Sequence, residues 1–408
     1  MKALTWHGRH DVRVESIPDP EIVNPRDAIL KITSTAICGS DLHLYDGYIP
    51  GLRAGDVLGH EFMGEVVEVG AKSTLKKGQR VVVPFTISCG DCFFCKKTQF
   101  SCCDNANPAE TSDASETLMG HAMGAAFGYA HLTGGYAGGQ AEYVRVPFSD
   151  VGPIVIPDGI DDDQVLFLSD ILPTGWQAAE QADIEEGDTV AVWGCGPVGL
   201  FAIQSAFKLG AHRVIAIDHY PRRLQLAKQM GADILDYREV DVLEALKELT
   251  GGIGPDAVID CVGMESHGLA IDNIADTVKQ QLMLTTERPH ALRQAIIACR
   301  KGGKVSIPGV YGGFADKFPL GQMMEKGLTV KSGQTHVQRY TKKLLDLIQK
   351  GELDTTFMIS HREPLGRAAE LYQKWHDEQD TYTKILLKPG MDSKPQVDLV
   401  AARQVEPA

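Results

Sequence analysis

Apolar positions along this chain follow two rhythms, and the rhythm changes near Asp170. From the N-terminus to about residue 150, short apolar runs sit between Gly and Pro. Ala28-Ile29-Leu30-Lys31-Ile32, Gly64-Glu65-Val66-Val67-Glu68-Val69 and Arg80-Val81-Val82-Val83-Pro84 are the clearest. Runs of this length between turn residues predict strands, and the scarcity of 3.6-residue periods predicts an all-β body. Beyond Asp170 the predicted elements alternate. Thr189-Val190-Ala191-Val192-Trp193 reads as a strand, Pro197–Leu209 as a helix, Arg213–Asp218 as a strand and Leu224–Met230 as a helix. Asp256–Asp260 and Lys304–Ile307 read as further strands. Strand–helix alternation predicts right-handed βαβ units on a parallel sheet.

After residue 333 the pattern is mixed. Tyr340–Lys350 and Leu365–Trp375 predict helices, and Thr383–Leu387 predicts a last strand returning to the first domain. Residues 391–408 are polar with two Pro and read as a disordered tail. Two stretches read as insertions. Asn105–Tyr136, rich in Gly, Ala and Ser, is long for a plain loop, and His267–His290 interrupts the alternating half. The expected organisation is therefore residues 1–170 with 333–390 as one domain and 171–332 as the other. A length of 408 residues agrees with two cores rather than one.

The formal net charge of -14 argues against nucleic acid or an anionic membrane as partner. No run approaches the roughly 18 apolar residues of a membrane span, and the first ten residues lack the apolar core of a signal peptide, so a cytosolic location is expected. Five of the nine Cys fall between Cys89 and Cys103. In a reducing compartment such clustering points to metal rather than disulfides.

Three constellations carry chemistry. Gly194-Cys195-Gly196-Pro197-Val198-Gly199 follows a predicted strand and opens a predicted helix, and Asp218 ends the next strand. That context is what a dinucleotide fingerprint needs: glycines admit the pyrophosphate to the backbone, and the helix N-terminus supplies N–H groups. Asp218 would accept hydrogen bonds from the ribose hydroxyls and repel a 2′-phosphate, favouring NAD, although Arg222 and Arg223 leave NADP open. Cys89-x2-Cys92-x2-Cys95-x7-Cys103 offers four thiolates on one short loop, a closed and hence structural zinc site. Cys102 competes with Cys103 for the last place. A nucleic-acid-binding zinc ribbon is the rival, and the acidic charge opposes it. The third constellation is dispersed: Cys38-Gly39-Ser40-Asp41-Leu42-His43, Gly59-His60-Glu61 and Ser169-Asp170. Taken singly these are ordinary residues, since a lone Cys is more often a small buried hydrophobe than a ligand.

Together the motifs resemble the zinc alcohol dehydrogenase branch of the medium-chain dehydrogenase/reductase superfamily. Gly59-His60-Glu61-x2-Gly64-x5-Gly70 matches the branch signature in full, and the Cys lobe and nucleotide fingerprint follow in the family's order, over residues 1 to about 389. A narrower resemblance is to glutathione-independent formaldehyde dehydrogenases. It rests on Asp170 within Leu168–Gly175, on Gly138–Tyr143 closing the first insertion, and on the second insertion; the first insertion is longer and richer in Met and Ala than that group leads one to expect. The resemblance implies an α/β chain: a GroES-like β-rich catalytic domain with a zinc lobe at 88–104, plus a Rossmann cofactor domain.

It also implies roles. Cys38, His60 and Asp170 become ligands of a catalytic zinc whose fourth position takes water or substrate oxygen, and Glu61 stands behind His60 and can visit the metal. Ser40 takes the substrate proton and His43 passes it towards solvent. Cofactor contacts fall at Thr174, Gly194, Gly196, Pro197, Val198, Gly199, Asp218, Arg223, Val262, Pro308, Val310 and His336. The expected activity is hydride transfer from a short aldehyde hydrate or alcohol to NAD, formaldehyde favoured, in a homotetramer. Alcohol or polyol dehydrogenase and formaldehyde dismutase are the rivals on the same scaffold. A non-catalytic zinc- and nucleotide-binding protein is the rival of another class, and the presence of every ligand and relay residue opposes it. The Asn105–Tyr136 insertion is expected to act as a lid over the adenosine end of the dinucleotide, or else as a surface excursion or subunit contact.

Overall fold

Strand Ala28–Ile37 is the axis of the first structural unit, Met1–Ser169 with Val337 onward. The β-branched residues Ile29, Ile32, Thr33, Thr35 and Ile37 suit a strand covered on both faces, and nearly all of it is buried. It pairs antiparallel with Glu61–Val69 on one side and Ile385–Lys388 on the other, and Tyr143–Val146 also pairs with it. The resulting sheet has seven strands, and a three-stranded sheet is built on Lys2–Gly8. The computed structural model describes residues 1–265, 286–287, 289–311, 314–315 and 317–391. Most of the second insertion and the expected tail beyond Met391 lie outside them.

The second unit spans Asp170–His336. Its main sheet has six strands, all parallel, and numbered in chain order within that sheet they lie 3-2-1-4-5-6. The order reverses between Thr189–Trp193 and Ala257–Asp260, a topological switch point of the kind at which open α/β sheets bind ligands. The fold is thus a GroES-like β domain and a Rossmann sheet.

Several elements differ from the sequence pattern. The first unit is not purely β: Gly39–Tyr45 is a helix, and so is Ala109–Met119 inside the first insertion. That insertion is no loose excursion. Asn107 donates to the carbonyls of Met123 (3.0 Å) and Leu132 (2.9 Å), and the Tyr136 hydroxyl donates to Ala106 O at 2.8 Å. Ala125 and Phe127 are buried in the same apolar cluster as Phe62 and Val81. The pattern also missed helix Ile171–Gln181, helix Val242–Leu249 and the strands Asp233–Asp236 and Thr329–Ser332. No helix among the described residues is long and apolar enough to cross a membrane.

Candidate active site and metal centres

Cys38 caps the helix that carries Ser40 and His43. The cap is reciprocal: the Asp41 carboxylate accepts the Cys38 N–H at 2.9 Å while the cap residue faces the first turn. Asp41 is fully buried, and its second oxygen lies 3.1 Å from His60 Nδ1. A carboxylate at that distance favours the proton on Nδ1, which would present the Nε2 lone pair on the other side of the ring. Ser40 Oγ stands 3.2 Å from that Nε2. His43, one helical turn after Ser40 and buried, shares its helix face.

His60 immediately precedes the strand Glu61–Val69. Gly59 turns the chain with φ +98, and a Cβ on it would fall 2.4 Å from Gln140 Cγ, so only glycine brings His60 into place. Gln140 is itself a hub: it donates to Ala36 O and to Asp41, both at 3.1 Å, and accepts from the Tyr372 hydroxyl at 2.8 Å. Glu61 forms a 2.6 Å ion pair with Lys384, and both side chains are fully buried. Sequence reasoning named Glu61 but missed Asp41, Gln140, Tyr372 and Lys384. The only local signal for any of them was Asp41, three residues after Cys38.

The side chains of Cys38, His60 and Glu61 offer ligand atoms that lie within 4.8 Å of one another, and Asp170 follows directly after Ser169 as the first residue of the second unit. Ser169, which carries Asp170, is anchored by the Phe85 N–H to Ser169 O bond of 2.9 Å. Burial pushes the Cys38 thiol up, and the Glu61 carboxylate adds to this, while Lys384 and His60 act in the opposite sense. A thiol, an imidazole lone pair and carboxylates, all buried, form a donor set suited to a borderline divalent cation such as zinc.

The second donor set is Cys89, Cys92, Cys95 and Cys103, again with sulfurs within 4.8 Å. Cys102 is exposed and outside the group. Backbone N–H groups aim at the sulfurs: Cys89 donates to Cys103 at 3.2 Å, Cys92 to Cys89 at 3.3 Å and Cys95 to Cys92 at 3.4 Å. Burial pushes Cys103 up to about 11, whereas at Cys92 N–H donors outweigh burial and bring it to about 7. Four sulfurs so placed ionise together only around a cation, so the lobe fits a closed zinc site.

In the second unit, Gly194 has φ +84 and Gly196 caps the helix Pro197–Lys208, with Pro197 at its first turn and Val198 after it. A Cβ on Gly199 would fall 1.8 Å from Gly194 O, so the third glycine serves helix–strand packing. A Cβ on Gly196 would meet nothing nearer than Arg223 at 4.0 Å, leaving the space that a pyrophosphate needs. Asp218 ends its strand and accepts three backbone N–H bonds: Cys195 at 2.6 Å, His219 at 2.6 Å and Tyr220 at 3.0 Å. Arg223 lies over the Tyr220 ring at 4.4 Å.

Val262 and Val310 sit where neighbouring loops cross: Val262 N–H donates to Asp260 at 3.0 Å, Met264 N–H donates to Val310 O at 2.9 Å, and Gly309 N–H, just after Pro308, donates to Asp260 O at 2.9 Å. Thr174 donates to Asp170 Oδ1 at 2.9 Å and accepts from Thr335 at 2.9 Å, beside which the His336 N–H donates to Gln177 at 3.0 Å.

Residues 24–158 match the model of the alcohol dehydrogenase GroES-like domain, and residues 197–281 match that of the zinc-binding dehydrogenases. The zinc-type alcohol dehydrogenase-like protein AdhB of Bacillus subtilis is 43% identical over 394 residues, which is 95% of this chain and 100% of that protein. The chain belongs to the zinc-type alcohol dehydrogenases. The glutathione-independent formaldehyde dehydrogenase of Pseudomonas aeruginosa is 35% identical over 376 residues, 85% of this chain and 87% of that one. Among solved structures, the alcohol dehydrogenase TADH from Thermus sp. ATN1 superposes with a TM-score of 0.79 at 34% identity, covering 95% of this chain and 99% of that one. An oxidoreductase of this family uses zinc, and both donor sets described above fit it.

Proposed function

We propose that this oxidoreductase transfers hydride from a short aldehyde hydrate or alcohol, formaldehyde favoured, to NAD. The observation that carries the reading is the cluster of buried donor atoms of Cys38, His60 and Glu61, with the Ser40 hydroxyl beside it. Cys38, His60 and Asp170 would hold a zinc ion, which would supply Lewis acidity to a substrate hydroxyl, and NAD would supply the hydride acceptor. The remaining work falls to the chain. Asp41 holds the His60 ring in one tautomer. Ser40 receives the proton that the substrate hydroxyl gives up, and His43, on the same helix face, takes it onward. Lys384 balances the Glu61 charge behind the ligands, so the site does not accumulate uncompensated anions.

In the cofactor unit, Gly196 leaves room for the pyrophosphate beside the first turn of the Pro197–Lys208 helix. Asp218 faces the adenosine ribose, and its charge opposes a 2′-phosphate. Val262, Pro308, Val310 and His336, with Thr174, would line the nicotinamide end. The preference for formaldehyde is supported by Asp170 in the place of the third ligand and by the 35% identity to a formaldehyde dehydrogenase. The protein would act in the cytosol as a homo-oligomer, a tetramer by resemblance.

Initial rates with formaldehyde, ethanol, 2,3-butanediol and sorbitol, each with NAD and with NADP, test the reading. The expected result is the highest kcat/KM with formaldehyde and NAD, lost in Ser40→Ala. A chain that turns over sorbitol best, or prefers NADP throughout, has another substrate or cofactor.

A further inference from the structure

Away from both cysteine-containing centres, the first unit brings together His10, Asp46 and His376. Their ligand atoms lie within 4.8 Å of one another. Three separate segments supply them. His10 sits at the tip of the hairpin between Lys2–Gly8 and Asp11–Ser16, Asp46 ends the Gly39–Tyr45 helix, and His376 lies in the last turn of the Ala368–Asp377 helix. The backbone bond from His10 N–H to Tyr45 O, 2.8 Å long, ties the hairpin tip to the helix end. One carboxylate oxygen, Asp46 Oδ1, is 2.8 Å from His10 Nε2 and 3.2 Å from His376 Nε2.

The second nitrogen of His376 decides the chemistry. Nδ1 stands 2.8 Å from Asp377 Oδ1. A neutral imidazole has one N–H to give, yet both nitrogens of His376 face carboxylate oxygens. If Nδ1–H serves Asp377, then the Nε2 lone pair points at an anion, and something positive belongs between them. This is the arrangement in which a carboxylate orients a metal-ligating histidine. The surroundings agree: Asp46 Oδ1 faces both imidazoles, and Asp377 stands behind His376. The chain as a whole carries a net charge of -14.

We propose that His10, Asp46 and His376 form an additional divalent-metal site, with Asp377 as the orienting carboxylate. Two imidazoles and a carboxylate suit zinc, copper(II) or nickel(II) rather than calcium or magnesium. The exposed side leaves the remaining positions to water. Zinc bonds of about 2.0–2.2 Å require only that Asp46 draw back slightly from the two rings. Occupancy would clamp the hairpin tip and the C-terminal helix to the end of the helix that carries Ser40 and His43. The site is separate from the catalytic and structural donor sets and does not depend on the substrate proposed above.

Equilibrium dialysis against a zinc buffer, followed by metal analysis, tests it on the full-length protein. Wild type should take up one more equivalent than His10→Ala and than His376→Ala, whatever number the cysteine-containing sites hold. His121→Ala, which removes an exposed histidine elsewhere, should match wild type. Asp377→Asn should weaken the additional uptake about 10- to 100-fold. Cobalt(II) added to protein in which zinc occupies only the cysteine-containing sites should give visible ligand-field bands that are absent in His376→Ala. Equal metal counts and equal cobalt spectra across wild type and both histidine variants would overturn the proposal, the cation between the rings and Asp46 then being a proton.

Discussion

Replacing Lys384 by Met removes one partner of the most deeply buried ion pair in the first unit. The Nζ to Glu61 Oε1 distance is 2.6 Å and neither side chain is exposed to solvent. At an effective dielectric of about 20, opposite charges that close attract by about 6 kcal/mol. Much of this is spent in desolvating both groups, so the pair need not stabilise the fold relative to an apolar one. Breaking it from one side is different: Glu61 would remain buried with its charge uncompensated, at a cost of about 3–5 kcal/mol. Lys384 also lies 5.8 Å from the Phe167 ring, a smaller loss.

Urea unfolding followed by tryptophan fluorescence reads the effect. With an m-value near 3 kcal/mol/M, the midpoint should fall by about 1–1.5 M. Glu61→Gln in the same background should recover most of that, because the stranded charge is then gone. The sum of the single losses should therefore exceed the loss in the double variant by about 2 kcal/mol or more. Lys384→Met unfolding within about 0.5 kcal/mol of wild type, with no coupling in the double variant, would show that Glu61 does not depend on Lys384.

Asp41→Asn should speed zinc loss to a chelator and weaken catalytic-site affinity about 10- to 100-fold while the second zinc is retained, as chelator titration would show. Cys103→Ser should cost one zinc per chain by elemental analysis, whereas Cys102→Ser should leave the count and the melting temperature unchanged. Asp218→Ala should weaken NAD binding by about 1.5–3 kcal/mol and narrow the gap to NADP, read as the ratio of Kd values by fluorescence titration. Asp163 is held below its usual 3.8 by Lys388 and Arg362 in spite of burial. Its stabilising contribution is therefore complete above the unfolded carboxylate value and is lost as pH falls through the lower folded one; acid unfolding of Asp163→Asn should show a shallower limb than wild type.

The parallel half was legible because its signals are local. Apolar strands such as Thr189–Trp193, a Gly-rich turn and a Pro-started helix all fall within one short window, and each agrees with the next. The antiparallel half was less so. Helix Gly39–Tyr45 is only 7 residues long, too short to establish a period, and its start depends on the Cys38–Asp41 cap rather than on apolar spacing. Helix Ala109–Met119 has one buried residue, Ser115, so it has no apolar stripe to read.

The candidate site divides along the same line. Ligand types and the four-cysteine spacing stand in the sequence as motifs, so Cys38, His60, Asp170 and Cys89–Cys103 were readable. What sets their chemistry was not. Asp41 reaches His60 from 19 positions away, Tyr372 reaches Gln140 from 232 away and Lys384 reaches Glu61 from 323 away. None of these pairs has a period or a spacing, because strands Ala28–Ile37, Glu61–Val69 and Ile385–Lys388 become neighbours only when the sheet closes. The proposed zinc ligands are thus written in the motifs, while the approach of Asp41 to His60 and the charge balance at Glu61 depend on the fold. A transplanted motif without the Ile385–Lys388 strand would keep its donors and lose the lysine that compensates Glu61.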